Sequence, residues 1–472
     1  MRASAIFLTT GCLFFSAIPT LAEPLRIATF DVDVSPPIGS PVAYAPARKI
    51  LDPLRARGIV ILTDRKPIVL CAIDWIGIAN GGHDEFRRRL ARAAGTSADR
   101  VAVHVLHQHD GPRCDFTAET LAAQRGLGGK LFSPVFARET IENIAAAIRA
   151  AIKKPQVVTH LGVGRAKIEK VASNRRILGP DGKVAIVRWS STTDPRAIAA
   201  PEGLIDPYVR LVSFYHDEKP LAVLSYYATH PQSYYGQGDV TSEFVGLARA
   251  ARQKATGGVL HVHFNGAGGN IAAGKYNDGS TRMRPILAQR MAEGMRKAWL
   301  ATKRIRIEAK DVTWRSRKVS LPVGKHLVAE ELRKTLDDPQ ATEAARLAAA
   351  RNLAWVQRMA GGHKIDLGCL RLADTYILHM PGELFVEYQL AAQKLKPKAN
   401  VCMAAYGDYG PGYIGTRVAY PQGGYETSPR ASRVAPEVEA VLMAAIKELL
   451  GLRPENCFSV APAGERRPSG RR

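Results

Sequence analysis

Beyond residue 22 the sequence has no apolar run near the ~18 residues that a membrane-spanning helix needs, which argues against a helical membrane protein. Its six cysteines include no C-x-x-C pair, so neither a zinc ribbon nor a thioredoxin-like site is expected. There is no phosphate-binding loop, because Gly126-Leu127-Gly128-Gly129-Lys130 lacks both the spacing and the Ser/Thr. No G-x-S-x-G elbow, no H-E-x-x-H helix and no dinucleotide fingerprint occurs, which removes the serine-elbow hydrolases, the zincin proteases and the nicotinamide enzymes. Acidic residues are few, 43 against 66 Lys+Arg, giving a formal net charge of +23 over 472 residues. No dense basic block with interleaved aromatics accompanies that charge, so nucleic acid is not an expected partner. With 46% hydrophobic and 23% charged residues the composition is that of a globular protein large enough to bury its own core.

The first 22 residues read as a secretory signal peptide: Arg2, an apolar stretch over 5–18, and Ala22 before the cleavage point. Leu8-Thr9-Thr10-Gly11-Cys12 is similar to a lipoprotein box, but the apolar run before it is too short. The expected product is exported, periplasmic or secreted. It keeps Cys71, Cys114, Cys369, Cys402 and Cys457, an odd number read as buried thiols with at most one bridge. Residues 23–452 contain no Pro/Ser-rich linker and are read as one unit, and 453–472 as a basic disordered tail of charge +3. No internal repeat is discernible in the sequence.

Apolar runs predict strands over 25–34, 58–62, 68–78, 101–107, 157–166, 184–189, 209–215, 221–228, 259–264, 305–319, 365–380 and 401–406. Helical spacing predicts helices over 135–152, 243–254, 283–300, 327–336, 343–359, 383–392 and 436–450. Strands and helices intermix, so the expected class is α/β (mixed α+β): one large domain with mixed sheets flanked by helices.

Five segments carry chemistry-bearing residues at strand ends and in loops. In the first, Val105-Leu106-His107-Gln108-His109-Asp110-Gly111-Pro112, two imidazoles two residues apart on a strand share a face about 7 Å apart along it. Both can reach one point at the strand's open end, as two metal ligands or as one ligand and one acid/base. Tyr226-Tyr227-Ala228-Thr229-His230-Pro231 again runs an apolar strand into a His before a Pro stop. In His263-Phe264-Asn265-Gly266-Ala267-Gly268-Gly269-Asn270, Gly266 and Gly268 allow a tight turn whose N–H groups can hold an oxyanion, with His261 and His263 nearby. His379-Met380-Pro381-Gly382-Glu383-Leu384 is read as a turn with Glu383 opening a helix. The fifth, 406–416 continuing to Tyr420 and Tyr425-Glu426, is a Gly/Pro-rich loop dense in tyrosine.

In this order the five segments resemble the neutral (alkaline, non-lysosomal) ceramidase family, with Asp33-Val34-Ser35-Pro36 and Asn174-Arg175 adding to the match. The resemblance implies a zinc-dependent amidase with His107, His230, Glu383 and Tyr413 as zinc ligands. It implies His109 as general base and acid, Tyr425 as the phenol polarising the scissile carbonyl, and Arg175 beside the substrate. Gly266, Gly268, His263 and Tyr420 are the expected substrate-binding residues. The sequence departs from the family where Gly269-Asn270-Ile271-Ala272-Ala273 lacks a Ser and a Pro, and where Gln108 and Asp110 replace Thr and Ser. Only about twenty residues follow Leu452, so the family's C-terminal immunoglobulin-like domain is not expected here. The expected function is hydrolysis of an N-acyl amide, a ceramide-like lipid first, with contact to an anionic membrane surface. The alternatives are a zinc hydrolase of the same fold acting on another amide or an ester, and a non-catalytic exported binding protein.

Overall fold

The computed structural model describes residues 24–452; the expected signal peptide, the expected disordered tail and Cys457 lie outside the described residues. Within them the class is the expected one: three large mixed sheets flanked by helices, with five two-stranded ribbons beside them. Cys71, Cys114, Cys369 and Cys402 are buried free thiols.

The sequence shows no internal repeat, but the topology has one. One unit of four strands and two helices occurs three times. In the first, Arg26–Asp33, Arg55–Leu62 and Ile68–Ile73 are antiparallel neighbours. The helix Asn80–Ala94 then crosses over to Val101–Val105, which pairs parallel to the third strand. Helix Pro134–Ala151 follows. The second unit repeats this with His160–Lys167, Tyr208–His216, Lys219–Tyr227, helix Glu243–Ala255, strand Leu260–Asn265 and helix Met283–Leu300. The third uses Val312–Val319, Ile365–Leu372, Thr375–His379, helix Val386–Leu395, strand Asn400–Ala404 and helix Val438–Leu449. Side chains differ among the units, and only the order and direction of the elements recur.

The three fourth strands meet at their C-terminal ends. Val105 donates its N–H to Tyr406 O at 3.0 Å, and Ala405 donates to Asn265 O at 2.9 Å. Asn265 Nδ2 donates to Leu106 O at 2.8 Å and closes the circuit. Each unit thereby delivers its strand-end loops to one place.

The helix Asn80–Ala94, unpredicted because its first turns are Gly- and Arg-rich, is held through Asn80, whose N–H donates to Asp408 Oδ1 at 3.0 Å. The long strand expected over 365–380 is a hairpin, turned at Ala373 with φ 50°. The strand expected over 305–319 is broken between Arg306 and Val312.

Units one and two are locked by a buried ion pair. Arg249 Nη1 and Nη2 donate to Asp74 Oδ1 and Oδ2 at 2.9 and 2.6 Å, with Asp74 fully buried. Removing one partner strands a buried charge, which costs about 3–5 kcal/mol. Arg249→Ala is therefore expected to lower unfolding free energy by that amount in a urea titration. Arg249→Ala with Asp74→Ala should lose less than the sum of the two single changes, and strict additivity would deny the coupling.

Candidate metal centre

His107 follows the fourth strand of the first unit. The strand stops at Val105, two residues short of the expectation, and His107 takes a left-handed backbone with φ 63°. Such a conformation in a residue with a Cβ costs of order 1–3 kcal/mol and persists only where its surroundings fix it. Here His107 N–H donates to Trp75 O at 2.9 Å, and His107 O accepts from Gln232 Nε2 at 2.7 Å. The turn brings His109 Nε2 to 3.1 Å from His107 Nε2, much closer than strand spacing would.

His230 lies three residues beyond the third strand of the second unit, and its N–H donates to Ile271 O at 2.9 Å. Glu383 occupies the matching place in the third unit. It does not open a helix: Glu383-Leu384 is a short strand parallel to Tyr413-Ile414, and the helix begins at Val386. Gly382 makes this pairing possible. Its φ is 57°, and a Cβ there would stand 2.5 Å from Gly412 O.

These loops converge. The side chains of His107, His230 and Glu383 are all buried, and their ligating atoms lie within 4.8 Å of one another. Glu383 Oε2 is 2.9 Å from His230 Nε2 and 3.4 Å from His107 Nε2, and Tyr413 Oη is 3.1 Å from His230 Nε2. Donors held around one tetrahedral Zn²⁺ stand about 3.3 Å apart, so these separations fit an ion.

Proton placement points the same way. His107 Nδ1 faces Ile76 O at 2.7 Å, and His230 Nδ1 faces Gly268 O at 2.7 Å and Ile271 O at 2.9 Å. Carbonyl oxygens only accept, so both Nδ1 atoms carry hydrogen and both Nε2 atoms are left to ligate. Burial first pushes the His107 imidazole down to about 4, so it is neutral at pH 7. For Glu383, burial works to raise the pKa, but an imidazolium at His107 or His230 and the Tyr409 hydroxyl outweigh it and hold the carboxyl at about 2. A lone pair turned on a carboxylate is repulsive, and a cation between them removes the repulsion. The Tyr409 hydroxyl donates to Glu383 Oε1 and orients it.

A cavity of about 480 Å³ opens on this cluster, with His107, His109, Arg175, Glu383, Tyr413 and Tyr425 in its wall. Arg175 Nη1 donates to Tyr413 Oη at 3.0 Å, and its Nε lies 3.0 Å from Glu426 Oε1. Tyr425 packs edge-on against Tyr413 with ring centroids 5.6 Å apart. His109 Nδ1 is buried without a hydrogen-bond partner.

The four expected substrate-binding residues do not line this cavity. Gly266 N–H is taken by Tyr227 O at 2.9 Å, so it cannot hold an oxyanion. Gly268 serves through its carbonyl on His230, and its backbone packs so tightly on Thr229 that a Cβ would meet Thr229 N at 2.9 Å. His263 Nδ1 is bonded to Ser225 Oγ at 2.8 Å inside the core. The Tyr420 hydroxyl is 3.1 Å from Ser432 Oγ. The departures at Gln108 and Asp110 are structural: Gln108 Nε2 donates to Ser242 O, and Asp110 accepts from Gly236 and Gly238 N–H. Asn270, in the segment lacking Ser and Pro, accepts from Val386 N–H and donates to Glu387.

Sequence reasoning did not single out Tyr409 as the partner of Glu383, Gln232 as the clamp on His107, or the cavity residues Tyr44, Tyr235 and Arg113. Gln232 stands two residues after His230, which was the one available signal.

Because Gly382 sets the pairing of Glu383 with Tyr413, Gly382→Ala should strain the backbone by about 1–3 kcal/mol. The expected outcome is a lower thermal midpoint together with weaker retention of a divalent ion on dialysis. Unchanged midpoint and ion content would show that this pairing does not set the centre.

No protein-family model matches the sequence, and no curated protein matches it. Solved structures do. A neutral ceramidase from Pseudomonas aeruginosa aligns with a TM-score of 0.65 at 16% identity, over 93% of this chain and 77% of that one. A ceramidase complexed with C2 aligns with a TM-score of 0.66 at 16% identity and the same coverage. The resemblance carried by five short segments is thus borne out along nearly the whole chain, and this protein has the fold of the neutral ceramidases.

Proposed function

We propose that the protein is an exported zinc-dependent amidase that hydrolyses an N-acyl amide, with ceramide-like lipids as the first substrate class to try. The observation that carries this reading is the buried His107–His230–Glu383 cluster, with Nε2 of each imidazole free to ligate and a cavity open beside it. The fold shared with a protein named as a neutral ceramidase supports the amide bond as the target. Tyr413, bonded to Arg175 and 3.1 Å from His230 Nε2, completes the proposed ligand set. His107, His230, Glu383 and Tyr413 would hold a zinc ion, which would supply Lewis acidity and bring a bound water's pKa toward ~7.

The chain's own groups account for the rest of the reaction. Water adds to the carbonyl carbon, the C–N bond breaks, and one proton must reach the departing nitrogen. His109 stands in the cavity wall with an unpartnered Nδ1, so it can take the proton from water and return it to the amine. Tyr425, also in the wall, can donate its phenolic hydrogen to the oxygen that gains charge as the carbonyl is attacked. The positive charge of Arg175 stands beside the Tyr413 oxygen and favours that oxygen as a donor. The surplus of +23 supports approach to an anionic lipid surface, where an acyl amide would be met.

His107→Ala is expected to abolish both metal retention and hydrolysis of a fluorogenic ceramide or short-chain amide. His109→Ala should keep the metal, measured by elemental analysis, while kcat falls about 10²–10⁴-fold. Turnover at the wild-type rate in the metal-free His107 variant would refute the metal assignment.

A further inference from the structure

The cavity is more cationic than cleaving a neutral amide requires. Five arginines line it, Arg113, Arg175, Arg351, Arg430 and Arg433, against two carboxylates, Asp115 and Glu383. Both carboxylates are committed elsewhere. Glu383 faces the histidines, while Asp115 accepts from Asn80 Nδ2 at 2.7 Å and Ala118 N–H at 3.1 Å. Arg175 is balanced by Glu426.

Arg113 and Arg433 donate to neutral oxygens. Arg113 Nη2 donates to Ala43 O at 3.1 Å. Arg433 donates through Nε to Asn352 Oδ1 at 2.7 Å and through Nη1 to Gly410 O at 3.2 Å. Arg351 Nε is buried without a partner. These contacts fix the guanidinium planes without pairing Arg113 or Arg433 with a carboxylate; Asp115 and Glu383 act on Arg433 only through space. Burial, and then the neighbouring Arg351, pushes both Arg113 and Arg433 down to about 10.

Three partly buried like charges around one cavity are unfavourable unless an anion answers them. The arrangement also leaves room for one. Ala344 and Ala348 line the same cavity from the helix Glu343–Ala360 that carries Arg351, and both are small. Arg113 belongs to the loop that holds His107 and His109, and Arg433 bonds the loop that holds Tyr409 and Tyr413. The cationic wall and the metal centre therefore share one cavity and neighbouring backbone. A neutral ceramide would leave these guanidinium groups bare, whereas a carboxylate or phosphate matches their fork geometry.

We infer that the substrate is an N-acyl amide bearing an anionic group, a carboxylate or a phosphate, held by Arg113, Arg351 and Arg433 while the scissile amide lies at His107, His230 and Glu383. This rests on the amidase reading above and narrows its substrate class.

The test uses the zinc-loaded full chain and two matched pairs: N-dodecanoyl-glycine beside its methyl ester, and a ceramide phosphorylated on its primary hydroxyl beside the unmodified ceramide. The acid should exceed its neutral partner at least about tenfold in kcat/KM in one pair, and the pair concerned tells carboxylate from phosphate. Arg351→Gln and Arg113→Gln should bring that ratio near one through KM, with Arg351→Lys retaining part of it. Arg333→Gln, on the exposed face of Ala329–Asp337, should leave it unchanged. Calorimetric titration of N-dodecanoyl-glycine and of the phosphorylated ceramide into metal-free protein gives a readout independent of turnover. Wild type should bind one of the two and the glutamine variants should not. Equal cleavage within both pairs overturns the inference, as does a preference that survives in glutamine variants with native circular dichroism. If no compound is cleaved but arginine-dependent binding persists, the anionic subsite stands and the amidase reading falls. If ceramide is cleaved and neither anion binds, the amidase reading stands and the subsite falls.

Discussion

The site exists because three strand ends are hydrogen-bonded to one another. Val105, Ala405 and Asn265 close a circuit across three sheets, and each sheet's last strand then releases its loop at the same point. Without that closure the histidines and the glutamate would stand at the ends of separate sheets. The geometry is paid for locally, by the left-handed His107 and by the positive φ of Gly382, and both are held by backbone hydrogen bonds to neighbouring loops.

Charge is arranged around that point in two zones. In the inner zone the imidazoles have their Nδ1 hydrogens fixed by carbonyls, Tyr409 donates to the Glu383 carboxylate, and His230 Nε2 faces that carboxylate without a hydrogen between them. In the outer zone guanidinium groups are oriented by neutral oxygens and keep their charge for something that enters. The inner zone is short of a cation and the outer zone is short of an anion. A metal ion would answer the first and an anionic group of the proposed substrate the second, so the two zones together would set the position and the polarity of what binds.

Much of the inner zone was legible in the sequence. His107, His230, Glu383 and Tyr413 each stand beside a Gly or Pro stop near the end of an apolar run, and such places are where strands release side chains into a site. The class and most element positions followed from periodicity. What stayed hidden depended on partners distant in sequence. Gln232 acts on the carbonyl of His107, 125 residues away, and Tyr409 acts through a hydroxyl that resembles any other in its loop. The glycine-rich 266–269 segment looked like an anion cradle, but its role is close packing and a carbonyl for His230, since Gly266 N–H is already taken by Tyr227. The five arginines of the cavity come from four separate stretches and form no run, so only the fold gathers them. The threefold plan escaped notice because element order repeats while residues do not.

The distribution of ligands over the three units has a consequence for biosynthesis. The first unit supplies His107, the second His230, and the third Glu383 beside Tyr413. A growing chain can complete its first sheet, and then its second, long before Glu383 has been made. No shorter product that ends before the third unit can hold an ion by this set. Any ion held by this set could be bound only after the third unit has been made, because Glu383 comes from it.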